Sequence, residues 1–494
     1  MSASVAARTG RTASPATGTS RSSTWAWLRE PGMGATILVG AISTAFGVIL
    51  LSVTEYLAAN IRAQPILGDR EDVQITLAIA TSLLVGLSIY VGAIVTTNTF
   101  ATVVAGRTRR IALLRLLGSS ARRERGVLAR QGLILGTLGA VIGSTVGLVA
   151  SIVGLNLASD LWHLNVEWSV LRPDLVAPAI AVILVTWAAA WVGSRRVGVV
   201  TPLQALSNAV EPARDRVVAR RGRHVVATVL VLVGAGLLTL GVIAGGVSQG
   251  AVLIAFAGGA LSFTGVILGS ALFLPPVLRA AGVLFGRGVV ARMAASNALR
   301  HSERSSRTAI GVVMGVTLVT MFAVAAETSV QFVHVVLGDE IPEFMRVAVD
   351  IFTGLMIGLV GVSAVIAAVG VINLLVLGIL QRQRELGLLR ALGLSVRQVR
   401  TMVVFEAAHV VVTSVVIGFA LGTLYGWAGA QSLLGWMPAV AGVADGPVYV
   451  APAIPVTAVV IITLATAALT IAASVVPART ATRLSPVRSL AAQG

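Results

Sequence analysis

The chain of 494 residues has no cysteine, and all 37 of its basic residues are arginine. The first absence removes disulfides, thiolate metal sites and thiol nucleophiles. The second removes the lysine with which a phosphate-binding loop of the GxxxxGK(S/T) type reaches the β- and γ-phosphates, so the chain cannot hydrolyse ATP in that way. Lysine Schiff-base chemistry goes with it. Charge is scarce too: 12% of residues are charged, against about 25% in a soluble domain. In its place stand 56% apolar residues and 52 glycines, with a mean hydropathy of +0.91. Apolar runs of about 20 residues or more recur along the chain, each long enough to cross ~30 Å of hydrocarbon. These features predict an all-α polytopic membrane protein.

Ten transmembrane helices are expected, near 35–58, 74–105, 128–156, 176–194, 225–246, 251–273, 309–330, 349–380, 401–430 and 452–476. Residues 1–34 read as a cytoplasmic tail ending in an interfacial segment around Trp25 and Trp27. Placing the N-terminus inside puts 33 of the 37 arginines on the cytoplasmic side and thirteen of the 20 acids outside. That distribution follows the positive-inside rule and predicts both termini in the cytoplasm; arginine without lysine in a chain rich in Ala, Gly and Val suggests a GC-rich bacterial genome, and hence a bacterial cell (inner) membrane. The pI of about 11.7 therefore reflects topology and contact with anionic membrane lipids, not nucleic acid, because the charge is divided among loops beside spans.

An internal repeat appears at an offset of 275 residues. Segment 107–125 is identical to 382–400 at ten of nineteen positions, including Arg107/Arg382, Arg109/Arg384, Leu114/Leu389, Arg115/Arg390, Leu117/Leu392, Gly118/Gly393 and Ser120/Ser395. Gly143 and Gly147 continue the register to Gly418 and Gly422. The predicted organisation is a first repeat at 35–206 (spans 1–4), a linking hairpin at 207–278 (spans 5–6), a cytoplasmic interfacial helix at 279–308, and a second repeat at 309–490 (spans 7–10). An even number of spans separates the repeats, so they share one orientation and resemble two subunits fused together.

An Arg-rich turn, a short helix reading Arg384-Glu385-Leu386-Gly387-Leu388-Leu389-Arg390-Ala391-Leu392-Gly393, then a span with spaced glycines, resembles the FtsX/MacB-type (type VII) ABC transporter permease family. The first copy departs from that pattern at Arg110, where an acid is expected, and at Gln131, where the later Glu406 is expected. Outer loops of at most about 20 residues, too short to fold alone, also stand where the best-known relatives carry a large extracytoplasmic domain. The resemblance implies coupling helices at 107–118 and 382–393 that dock two copies of a separate ABC ATPase, which would bind ATP and Mg. This chain itself would hold no cofactor, no metal and no catalytic site.

In the second helix Leu386, Leu389 and Leu392 fall on one stripe, with Arg382, Arg384, Glu385 and Arg390 around them. Such a helix either fits a groove in a partner or lies on the inner leaflet. Gly139, Gly143 and Gly147, and likewise Gly418, Gly422 and Gly426, place small residues along one side of a span, as close helix packing requires. In a chain this rich in glycine the spacing also arises by chance. Glu55 and Glu327, near the outer ends of equivalent spans, are candidate membrane-depth polar sites or lie just outside the hydrocarbon. Glu406 and His409 suit either a proton relay or a structural bond near the coupling turn. Two functions follow from the resemblance. One is export (efflux) of a hydrophobic or amphipathic compound such as an antibiotic, peptide or lipid. The other is a device that transmits ATPase state to an extracytoplasmic partner without transport.

Overall fold

The computed structural model describes residues 33–63, 71–106, 119–162, 169, 172–194, 221–284, 302–338, 392–440 and 446–468 except 462, with isolated positions between 353 and 388. Among these no strand occurs, and eight helices are long and apolar enough to cross a membrane. They are α1 (Met33–Arg62), α2 (Glu71–Gly106), α3 (Ala121–Trp162), α4 (Val176–Ser194), α5 (Arg221–Ala244), α6 (Ala251–Leu284), α7 (Ser302–Leu337) and α8 (Val396–Leu434). The chain is an all-α polytopic membrane protein. Predicted spans 1–7 and 9 coincide with α1–α8. The expected eighth span, 349–380, lies almost wholly outside the described residues. Of the tenth, the shorter apolar helix Val456–Ala468 is described.

A bilayer core offers the backbone no water, so spanning segments satisfy their own amides as helices. Hydroxyls on these helices follow the same economy. Thr44 Oγ1 donates to the Gly40 carbonyl at 2.9 Å, Thr54 to Leu50 at 2.7 Å and Thr186 to Val182 at 2.6 Å, each one turn back. Helices α3 and α8, 42 and 39 residues long, extend about 60 Å at 1.5 Å per residue. They outrun the hydrocarbon on the side where they begin, which carries Arg122, Arg123, Arg125, Arg397 and Arg400. We call this the near face and the opposite side the far face.

In the first half α1 and α3 run parallel, with α2 and α4 antiparallel to them. In the second half α7 and α8 run parallel and pack as α1 and α3 do. Between them, α5 and α6 form an antiparallel hairpin closed by glycine contacts: a Cβ on Gly241 would lie 2.5 Å from the Ala255 nitrogen. Among the described residues the hairpin packs against α2, α7 and α8. Ala428 and Ser432 of α8 lie beneath it, 1% and 0% exposed, whereas their repeat counterparts on α3, Val153 and Leu157, are 62% and 58% exposed. Small residues sit where a helix must approach, and large apolar ones where lipid does. The two halves meet in a buried cluster of Phe46 and Leu50 from α1, Leu87 and Val91 from α2, and Leu318 and Phe322 from α7.

Candidate functional site

Helices α3 and α8 begin at equivalent residues, Ala121 and Val396, 275 apart. Each is capped by the serine before it. The Ser120 hydroxyl accepts from the Arg123 amide at 3.3 Å, and the Ser395 hydroxyl from the Gln398 amide at 3.2 Å. In the second repeat Gln398 Oε1 also accepts from the Ser395 amide at 2.9 Å, completing a capping box. In the first, Arg123 stands in the glutamine's place, and Ser119 instead donates to Glu124 Oε1. Sequence alignment paired the two serines without assigning them a task. An [ST]xx[Q] spacing at Ser395 was the available signal.

The segment before Ser395 turns sharply. The Leu392 amide donates to the Leu388 carbonyl at 2.9 Å, and Gly393 follows with φ +99°, a left-handed conformation that suits glycine and ends a helix. Leu388 and Leu392, one turn apart, are 52% and 72% exposed. Leu392 belongs to the expected docking stripe; Leu388 was not assigned to it. The other expected docking residues, Arg107, Arg109, Arg110, Leu114, Arg115, Leu117 and Gly118 in the first copy, and Arg382, Arg384, Glu385, Leu386, Leu389 and Arg390 in the second, lie outside the described residues.

The glycines sit at helix crossings. A Cβ on Gly143 would overlap the Ala41 carbonyl oxygen and crowd Thr44, and one on Gly147 would lie 2.9 Å from the Ala45 carbonyl and 3.0 Å from Val48. The counterparts do the same on α7: Gly418 faces the Val313 carbonyl and Val316, and Gly422 faces the Thr317 carbonyl and Thr320. Gly139 abuts the Ile37 carbonyl on α1, and Gly426 the Met321 carbonyl on α7. These contacts match α1 to α7 at an offset of 272, three fewer than between α3 and α8. Where one repeat has Gly139 the other has Ser414, and Gly426 corresponds to Ser151. Both serine hydroxyls fold back onto the carbonyl four residues earlier, at 2.7 and 2.8 Å, and keep the surface small.

At this second offset Glu55 and Glu327 are equivalent residues, yet their surroundings differ. Glu55 pairs with Arg172 at 2.5 Å and Arg62 at 3.3 Å, and Arg172 also holds Asp174 at 2.7 Å. Glu55 thus belongs to an ion-pair cluster at the far face, with its charge matched by arginines. Glu327 is exposed and makes no ion pair among the described residues. Glu406 and His409 are both buried, and His409 Nε2 lies 2.5 Å from the Leu278 carbonyl. That bond ties α8 to α6 just past Pro275 and Pro276. Gln431 is a residue the sequence did not single out: its amide brackets the far-face segment by donating to the Val448 carbonyl and accepting from the Val450 amide. Beside it, Trp427 Nε1 donates to the Val450 carbonyl at 2.7 Å.

A family profile described as FtsX-like permease C-terminal matches residues 82–202 and 357–486. The two matches begin 275 residues apart, at the repeat offset, and together take in just over half of the chain. No curated protein matches the chain. With two matched segments in one all-helical, multi-pass membrane protein, the chain belongs to the FtsX-like permease family and is a membrane permease component of an ABC-type system.

Proposed function

We propose that the chain couples ATP hydrolysis by two copies of a separate ABC ATPase to export of a hydrophobic or amphipathic compound across a bacterial inner membrane. The near face is then cytoplasmic, in keeping with its arginines, and ATP and Mg are held by the partner subunits. The observation that carries this reading is the pair of Ser-capped helix starts, Ser120–Ala121 and Ser395–Val396, on one face and in equivalent places. Each follows a segment of the family's coupling pattern, so one chain offers two docks. A docked element fixed rigidly to α3 or α8 moves that helix with the ATPase. The glycine crossings pass the motion to α1 or α7, because backbones in van der Waals contact leave no soft side-chain layer between them. Outer loops too short to fold leave little with which to grip an extracytoplasmic partner, which favours export over pure signal transmission.

The purified chain alone is expected to hydrolyse no ATP, and magnesium-dependent hydrolysis is expected once its ATPase subunit is added. Native mass spectrometry should find one permease chain with two ATPase chains. A stable core of two permeases and two ATPases would overturn the fused-pair reading, and hydrolysis by the single chain would overturn the division of labour.

A further inference from the structure

A cavity of about 230 Å³ lies toward the far face, between α2, α6, α7 and α8. Leu84, Phe256, Phe263, Met314, Met321 and Leu433 form much of its wall, and among the described residues no charged side chain lines it. Its two tyrosines present rings, because their hydroxyls are engaged by α6. Tyr90 donates to the Ala260 carbonyl at 2.7 Å and meets Thr264 Oγ1 at 2.9 Å, while Tyr425 meets Ser262 Oγ at 3.0 Å. Each ring also meets an α6 phenylalanine edge to face, Tyr90 with Phe256 at 6.5 Å and Tyr425 with Phe263 at 6.1 Å. The Thr54 hydroxyl is spent on the Leu50 carbonyl. Thr317 Oγ1 is closed off from the space and makes no hydrogen bond among the described residues.

The space is real at the level of single atoms. A Cβ on Gly429 would meet nothing within 4 Å, and one on Gly259 would only graze Leu238 and Tyr425 at 3.9 Å. An apolar void of ~150 Å³ already accepts benzene, whereas sites for whole drug-sized molecules run from ~300 to 1,000 Å³. The wall therefore suits part of a molecule, apolar and flexible. We propose that this cavity binds the hydrocarbon tail of an amphipathic molecule. The tail belongs either to a bilayer phospholipid or to a single-chain amphiphile arriving from solution. The linking hairpin supplies one wall through α6, so binding is confined to the side of the molecule that the hairpin covers. The inference stands apart from ATPase docking.

The test uses the full chain in nanodiscs with two photoactivatable probes. One is a phosphatidylglycerol with a diazirine in one acyl chain, built into the disc. The other is a single-chain alkyl diazirine amphiphile added from solution to discs of plain lipid. Crosslinks are mapped by mass spectrometry, and preferential labelling around Met314 and Met321 is expected over the lipid-facing α5 positions Val229 and Leu232. Gly429→Leu and Gly259→Leu, on different helices, should each lower cavity labelling by about tenfold, since their added side chains occupy the tail's volume. Gly236→Leu adds the same group at an exposed position on α5 with open space around it and should leave labelling unchanged. Labelling by the phospholipid identifies a bilayer source and labelling by the amphiphile a soluble one; either supports the site. Labelling no higher than on α5 with both probes, or undiminished in both plugging variants, overturns it. No ATPase activity enters the readout, so this result and the docking result fail separately.

Discussion

Phe46 and Phe322 meet edge to face, with ring centroids 6.4 Å apart, where α1 and α7 come together. They are not repeat equivalents. At the 272-residue offset Phe46 corresponds to Leu318 and Phe322 to Leu50, and all four lie in one buried cluster. A twofold relation maps the Phe46–Phe322 contact onto Leu318–Leu50, which is how a self-complementary dimer interface is built. Here it is built within one chain, with an aromatic pair replacing one of the two symmetric contacts.

The aromatic pair should be energetically coupled. In a double-mutant cycle with Phe46→Leu and Phe322→Leu, a coupling of about 1 kcal/mol is expected from edge-to-face geometry beyond area burial. The measurement is reversible unfolding in detergent. A coupling indistinguishable from zero would mean that the rings share a cluster without stabilising the junction.

Gly143→Val and Gly418→Val should both destabilise, because each adds a side chain against the backbone of the parallel helix. Overpacking of this kind costs about 1–3 kcal/mol. Gly154→Val, where nothing lies within 4 Å, serves as the control on the same helix as Gly143. Melting in detergent should fall for the first two and hold for the third.

Ser395→Ala should loosen the start of α8 by about 1 kcal/mol, the usual value of a helix N-cap. Amide exchange over residues 396–400 reads this directly and should accelerate about fivefold, following the same free energy. Ser120→Ala should act more weakly, since it removes a single bond and no capping box.

The two docks should be unequal. Glu385 is replaced at the repeat-equivalent position by Arg110, so one ATPase surface cannot complement both charges equally. Glu385→Arg is expected to reduce permease-stimulated ATPase activity severely, while Arg110→Glu is tolerated; a desolvated charge pair at such a dock contributes about 1–3 kcal/mol. Leu389→Asp and Leu114→Asp should each weaken their own dock by charging the apolar stripe. Four variants that all stimulate like the wild type would remove the docking role from these segments.

Arg172→Ala should cost little, within about 1 kcal/mol, because the Glu55 cluster is partly solvated and Arg62 remains beside the carboxylate. Glu327→Gln should be neutral for stability. If Glu327→Gln instead abolishes export while folding normally, the exposed carboxylate serves transport directly.

Much of the architecture was legible from the residues alone. Hydropathy marked the segments that became α1–α8, since apolar length is a local property that the bilayer reads directly. Identity between 107–125 and 382–400 disclosed the repeat, because a charged turn tolerates fewer letters than a lipid-facing helix. Relating α1 to α7 was harder. Their sequences share little beyond Thr36/Thr308 and Glu55/Glu327, and the register emerged only from which carbonyl each glycine touches. The partners of Glu55 were equally hidden, because Arg172 lies more than a hundred residues away and reaches it through the fold.

What the sequence determined by itself is therefore the eight apolar segments that form α1–α8, which side holds the arginines, and where the chain repeats. The tertiary structure alone decided which face of each helix meets protein. In water an apolar stripe distinguishes the buried face from the exposed one. In a bilayer the lipid-facing surface is as apolar as the interior, so exposed Val153 and buried Ala428 differ in size, not in polarity. Size acquires meaning only against a neighbour, and it is the three-dimensional placement of the α5–α6 hairpin that sets one side of this pseudo-symmetric molecule apart from the other.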